Sequence, residues 1–328
     1  LRSLRGGRIR AACAVVPTLT GLERWMAMVE PALEQCLASL GGLGGLADFE
    51  APHGPGALDG SRARVGLVVC GPRIPTVQAW LEPLASEVAG LARAAEALPE
   101  RVARALRERG IPPVVVRSAP GDRAAAIGAL DVVSELLDQN ACDACVVVAV
   151  DSGCEPPLLE LADVTGRLHR PEEATGYTPG EAAACLWLER GRAGDGGPGA
   201  SAGGALLTGW ACAPSPEDAL EAALVHAGVA RPSIREVLVD LNGERAAAEA
   251  WVGGATRALW ASGADPERLL PVVSTGDTGV ATAAVALGCA LARLAEEPGV
   301  AVVWAGTPPP AWPTGPVASG AVVVVREA

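Results

Sequence analysis

Short apolar runs alternate along the chain with longer segments whose apolar residues recur every three or four positions. The short runs do not alternate polar with apolar, which is the pattern of strands covered on both faces. They predict strands over 65–70, 114–117, 145–150 and 183–189, and then over 205–210, 236–241, 271–274, 300–304 and 321–326. Between them, 123–139 places Ala126, Leu130, Val133 and Leu137 on one helical face. Segment 279–296 is rich in Ala and Leu, which suits a helix buried on most sides, and 217–227 and 244–261 give two more. Segment 76–110 predicts at least one helix, broken near Pro99. Strands alternating with helices define an α/β protein.

Two loops punctuate the pattern. Residues 40–59 are rich in Gly and Pro, which marks a surface excursion, and 191–204 are a low-complexity Gly/Ala linker. The linker separates an N-terminal half, 1–190, from a C-terminal half, 205–328. Each half runs strand, loop, buried helix, strand, and ends in a β-rich segment, so duplication of one α/β unit is expected.

Composition narrows the chemistry. The chain has 328 residues and a net charge of −12, which argues against binding a polyphosphate backbone over a broad surface. All its basic residues are arginine. Without lysine there is no Schiff base with a carbonyl substrate or pyridoxal phosphate, and no P-loop ammonium. The Gly-rich loops carry no GxGxxG after a strand, so no cofactor is expected. Nine cysteines, an odd number scattered through apolar segments, read as reduced thiols. Cys142 and Cys145 form a CxxC without a second pair at zinc-ligand spacing, and Cys145 opens an apolar strand, so no metal is expected. The apolar patch after Arg2, Arg5, Arg8 and Arg10 ends at Pro17, too short for a signal sequence. No stretch reads as a membrane span, and the expected compartment is the cytoplasm. The eight tryptophans form no stripe and are expected in the core.

The most specific segment runs from Ala149-Val150-Asp151-Ser152 to Gly176-Tyr177-Thr178-Pro179-Gly180-Glu181-Ala182, with Ala162-Asp163-Val164-Thr165-Gly166-Arg167-Leu168 between. It resembles the β-ketoacyl synthase stretch from a Gly-Val-Asp-Ser strand end, through a Gly-Arg-Leu loop, to a Gly-Phe-x-Pro-Gly-Glu-Gly-Ala turn. Val239-Asp240-Leu241-Asn242-Gly243-Glu244 and Ser274-Thr275-Gly276-Asp277-Thr278-Gly279 fall where that family places its two histidine loops. The resemblance covers residues 60 to 328. It implies a thiolase-like fold, two βαβαβαββ halves layered α-β-α-β-α, in an obligate homodimer or heterodimer. It further implies carbon–carbon bond formation between acyl thioesters, by a cysteine at the N-terminus of the first half's buried helix and two histidines from the second half.

This chain departs from that set. The nucleophile loop reads Arg117-Ser118-Ala119-Pro120-Gly121-Asp122, with Pro120 on the cysteine position. Asn242 and Asp277 stand at the histidine positions, and an apolar residue near Val272 replaces the family's lysine. The chemistry needs a thiolate whose pKa a helix N-terminus lowers, and proline supplies none. Asn242 can still donate to an oxyanion, whereas an Asp277 carboxylate would repel one. Asp122 and Asp277 stand at predicted helix starts, where capping is the ordinary role; a convergent acid–base set with Asn242 is the sharper alternative. Ser118 lacks a histidine partner, since His53, His169 and His226 lie away from these motifs. Glu181, which matches the family's turn residue, is expected to be structural.

Three functions are compatible with this vestigial pocket of Ser118, Pro120, Asp122, Asn242 and Asp277. The first is a non-condensing partner or scaffold subunit, paired with itself or with an active ketosynthase in fatty acid or polyketide metabolism. The second is an acyltransferase or acyl-thioester hydrolase using Asn242 and Asp277. The third is a binding protein for acyl-CoA or an acyl carrier protein.

Overall fold

A computed structural model of the chain describes residues 18–41, 63–74, 82–172, 175–191, 205–260, 263, 265–306 and 319–326. The first sheet comprises β1 (Val65–Cys70), β2 (Val115–Ser118), β3 (Ala144–Ser152) and β4 (Glu181–Glu189), in the order β2-β1-β3-β4. The second comprises β5 (Leu206–Ala213), β6 (Ile234–Val239), β7 (Glu267–Leu269), β8 (Gly299–Gly306) and β9 (Ser319–Arg326), in the order β5-β9-β8-β6-β7. In the first sheet β1 runs parallel to β2 and β3, and β4 runs antiparallel to β3. In the second, β6 runs parallel to β7 and β8, and β9 runs antiparallel to β8. The two halves therefore repeat one topology, with β5 added antiparallel at the edge of the second sheet.

Strand periodicity assigns the layers. In β3, Cys145, Val147 and Ala149 face one cluster, while Val146, Val148 and Val150 face another. The first cluster lies between the sheets, where α3 (Ala125–Asp138) and α8 (Thr282–Glu296) pack. Small residues at Ala126, Ala129, Ala283, Ala284, Ala286 and Ala290 line this central layer. On the outer face of the first sheet lie α1 (Gly21–Gly41) and α2 (Glu82–Glu108), and α5 (Pro216–Ala227) and α6 (Arg245–Ala258) cover the second. The result is the α-β-α-β-α stack that the resemblance implied.

Several expectations need correction. Residues 271–274 are not a strand: after Pro271 the chain forms the short helix α7 (Val272–Thr275), closed by Gly276 at φ 72°. Val273 is exposed, so the β-branched pair has no sheet to join. The strand of this region is β7, just upstream. The predicted break at Pro99 is absent, for α2 continues through it. Proline removes one backbone bond, and fully buried Leu98, Val102 and Leu106 hold the helix on both sides of the gap. The segment Gly279–Glu296 is, by length and composition, apolar enough to cross a membrane. Here it is half buried and contributes Val280, Leu287 and Leu294 to the central core. Helices α1 and α4 (Pro156–Val164) were not foreseen. The 40–59 excursion and the 191–204 linker lie outside the described residues apart from their ends.

Candidate functional site

The central seam is set by three loops. The loop from α4 into β4 carries Gly176, whose N–H donates to Gly243 O, and Gly180, whose N–H donates to Asp277 O; Asp277 N–H in turn donates to Thr178 O. A Cβ at Gly180 would overlap the Thr275 carbonyl oxygen, so only glycine permits this approach. The Gly-Tyr-Thr-Pro-Gly-Glu motif of the first half thus clamps both loops of the second. Glu181 continues it as a buried anchor, accepting from Ser152 Oγ at 2.8 Å and facing Arg24 at 3.6 Å.

Of the predicted pocket residues, the fold joins two. Asn242 Nδ2 donates to Asp277 Oδ2 at 2.8 Å, and both side chains are buried. Ser118, the last residue of β2, and Pro120, on the loop that leads to α3, are exposed. Asp122 turns back on its own loop: its carboxylate accepts from Ala124 N–H at 3.3 Å and its carbonyl from Ala125 N–H at 2.9 Å. These contacts lie within its own loop. Asp277 Oδ1 accepts from Gly279 N–H at 3.0 Å, while Oδ2 faces the seam.

The residue at the centre is Arg123, which the sequence analysis did not single out. Its guanidinium donates to both oxygens of Asp240 and to Asp277 Oδ2, and it is 5% exposed. Asp240 reaches it by strand periodicity. Leu238 points to the central layer while Val237 and Val239 point outward, so the position after β6 points inward again. The network extends outward, since Asn242 Nδ2 also donates to Glu244 Oε2 at 2.9 Å, and Glu244 accepts from Arg167 at 2.8 and 3.1 Å. Two arginines from the first half thus meet Asp240, Asp277 and Glu244 from the second. A signal was present in the sequence: Arg123 stands just before the apolar first turns of α3, and Asp240 follows the apolar end of β6, Val237-Leu238-Val239.

Asp151 completes the seam. Its carboxylate accepts from Ser152 N–H at 2.8 Å and Val280 N–H at 3.0 Å, which ties the end of β3 to the start of the α8 segment. Gly279, at φ 52°, lies so close that any side chain would strike this carboxylate. Burial pushes the Asp151 carboxyl up to about 7, with Asp277 and Glu155 adding to the rise and the two amides opposing it.

Chemically the site is saturated. Both Asp277 oxygens and both polar atoms of Asn242 are engaged. At the start of α3, the amides of Ala124 and Ala125 are bonded to Asp122. A thiol does lie near the helix start, Cys70, whose Sγ is 3.8 Å from Ala125 O. It is fully buried, and burial pushes it up to about 12, the opposite of an activated nucleophile. Among the described residues no group of three or more His, Cys, Asp or Glu side chains is arranged to hold a metal.

No protein-family model and no curated protein matches the sequence. Solved structures do match. The oxazolomycin ketosynthase domain OzmH KS7 of Streptomyces albus JA3453 superposes with a TM-score of 0.59 at 15% identity, over 81% of this chain and 55% of that one. The chain therefore spans little more than half the length of that domain. The ishigamide ketosynthase/chain length factor gives 0.57 at 17% identity, over 98% of this chain and 99% of that one. AntDE:AntF, a type II PKS acyl-carrier protein in complex with its ketosynthase bound to the hexaketide, gives 0.63 at 11% identity, over 98% of each chain. With two repeated α/β halves around one central helical layer, the chain has the thiolase-type fold of the ketosynthases and chain length factors.

Proposed function

We propose that this protein is a non-condensing, ketosynthase-like partner subunit in acyl-thioester metabolism. The observation that carries the proposal is Arg123. A buried guanidinium bound by Asp240 and Asp277 fills the junction of the two halves, at the start of the helix that holds the nucleophile in ketosynthases. Condensation needs a thiolate there, and the loop offers Ser118, Pro120 and Asp122 instead. A partner role needs only an intact fold and a surface for a ketosynthase or an acyl carrier protein. The likeness to a ketosynthase/chain length factor over nearly the whole of both chains supports it. A hydrolase built on Asn242 and Asp277 is disfavoured, because every polar atom of the pair already has a protein partner.

The test is intact-mass spectrometry of the purified chain after incubation with acyl-CoA and acyl carrier protein thioesters, alone and with a type II ketosynthase that carries its catalytic cysteine. The expected result is no acyl adduct on this chain, no condensation by the chain alone, and co-elution with the ketosynthase. A stoichiometric adduct, or condensation without the ketosynthase, overturns the proposal.

A further inference from the structure

At the end of α3 remote from Arg123, the loop into β3 carries Cys142, and β3 itself carries Cys145. Both thiols are free, both are buried in the central cluster, and their sulfurs lie 3.3 Å apart. Sulfurs in contact need only small side-chain rotations to reach bonding distance.

Two features of the surroundings hold this approach. The first is Gly66 in β1, a strand position where glycine is otherwise a weakness. A Cβ there would lie 2.9 Å from the Cys145 sulfur and 3.0 Å from the Cys142 sulfur, so the two sulfurs fill the space of the missing side chain. The second is Arg64, just before β1. Its guanidinium donates to Asn140 O and to Asp143 Oδ1, each at 2.8 Å, and Asp143 N–H donates back to Arg64 O at 2.7 Å. Cys142 thus stands between two residues that one arginine pins.

We infer that Cys142 and Cys145 form a redox modification site, at which hydrogen peroxide converts the two thiols to an intrachain disulfide that a dithiol reduces again. The Cys142 sulfur, on the loop, attacks one peroxide oxygen. The O–O bond breaks, and the departing hydroxide takes the Cys142 proton as water, leaving a sulfenic acid. The Cys145 sulfur then attacks the Cys142 sulfur: the S–S bond forms, the S–O bond breaks, and hydroxide takes the Cys145 proton as a second water. Two electrons pass from the thiols to the peroxide. Burial and the bond to Cys142 push the Cys145 thiol up to about 12, which suits the resolving partner and not the first nucleophile. Access runs through local opening of the loop, where Arg64, Asn140 and Asp143 all lie at the surface. The inference is independent of the seam and of the partner role.

The test treats the reduced, folded full chain with hydrogen peroxide, then alkylates the remaining thiols under denaturing conditions and locates them by peptide fragmentation. The expected result is a disulfide, read as the loss of two hydrogens and of two alkylation sites, Cys142 and Cys145, with full recovery in dithiothreitol. Cys145→Ser removes the resolving thiol, so the treated variant should instead gain one oxygen at Cys142. Circular dichroism confirms that the variant is folded. A wild-type chain that keeps both thiols overturns the inference, as does a bridge that forms only after urea has unfolded the chain. A bridge confined to Cys36 and Cys185, whose thiols also interact, overturns it too. A folded Cys145→Ser chain with no added oxygen at Cys142 overturns it equally.

Discussion

At the scale of single residues, the seam is governed by how buried charge is matched. Arg123 places a guanidinium in the seam, and Asp240 and Asp277 compensate its charge from the other half of the chain. Removing one member of such a cluster leaves uncompensated charge in a low-dielectric site. Arg123→Met is therefore expected to lower the unfolding free energy by about 3–5 kcal/mol, measured by urea denaturation. A loss under about 1 kcal/mol would show that water screens the cluster as it screens a surface pair. Asp151 makes a second, pH-dependent prediction. Its folded-state pKa is raised to about 7, whereas an unfolded aspartate titrates near ~3.9. The folded state binds the extra proton, so this group's contribution is complete below the unfolded value. It is lost as pH rises toward about 7 and stays level above that. Asp151→Asn removes the titration. The stability difference between wild type and variant should fall across that window when urea midpoints are compared at successive pH values. A difference that stays constant with pH would assign the slope to other groups.

At the scale of elements, legibility followed burial. Strands such as β1 and β3 are apolar on both faces because helices cover both, and such runs stand out in a sequence. The run after Leu270 has a similar composition, but Pro271 and Gly276 bound it too tightly for a strand, and α7 forms instead. Local β propensity there was overridden by the turn residues at its two ends. Helices α1 and α2 each contain a proline, Pro31 and Pro99, and proline obscures helical periodicity in a sequence. Packing keeps both helices continuous. The cost of Pro99 should be measurable: Pro99→Ala restores a backbone donor in the helix interior. It is expected to stabilise the fold by about 2 kcal/mol, the propensity gain less the entropy that proline removes from the unfolded chain. A urea midpoint that falls instead would mean that the pyrrolidine ring packs better than it disrupts. The candidate site was legible in part, and for a comparable reason. Asn242 and Asp277 sit in loops with a recognisable motif, but Arg123 acquires its role only when α3 is laid against the second sheet.

At the scale of the whole molecule, the two halves repeat one topology but do not have separate cores. The cluster between the sheets draws Val68, Val147 and Ile127 from the first half, and Leu238, Leu287 and Val303 from the second. Each half alone would expose one face of its sheet and the inner face of its central helix, a large apolar loss. The seam adds the Arg123 cluster, the Asp151 cap and the Gly180 clamp, all crossing the same boundary. The expected consequence is one cooperative transition, even though the sequence divides at a linker. Hydrogen exchange in low denaturant should give β3 and β8 the same opening free energy, equal to the global value. The outer layers need not share it, since α1 and α2 pack on one sheet and α5 and α6 on the other. If β3 and β8 instead open with distinct free energies, the halves are separable folding units and the seam is a docking interface. Arg123→Met would then shift the opening of one half only, whereas in a single unit it shifts both equally. Agreement between the exchange of β3 and β8 in wild type, and an equal shift in the variant, would make the buried guanidinium the fastener of one fold.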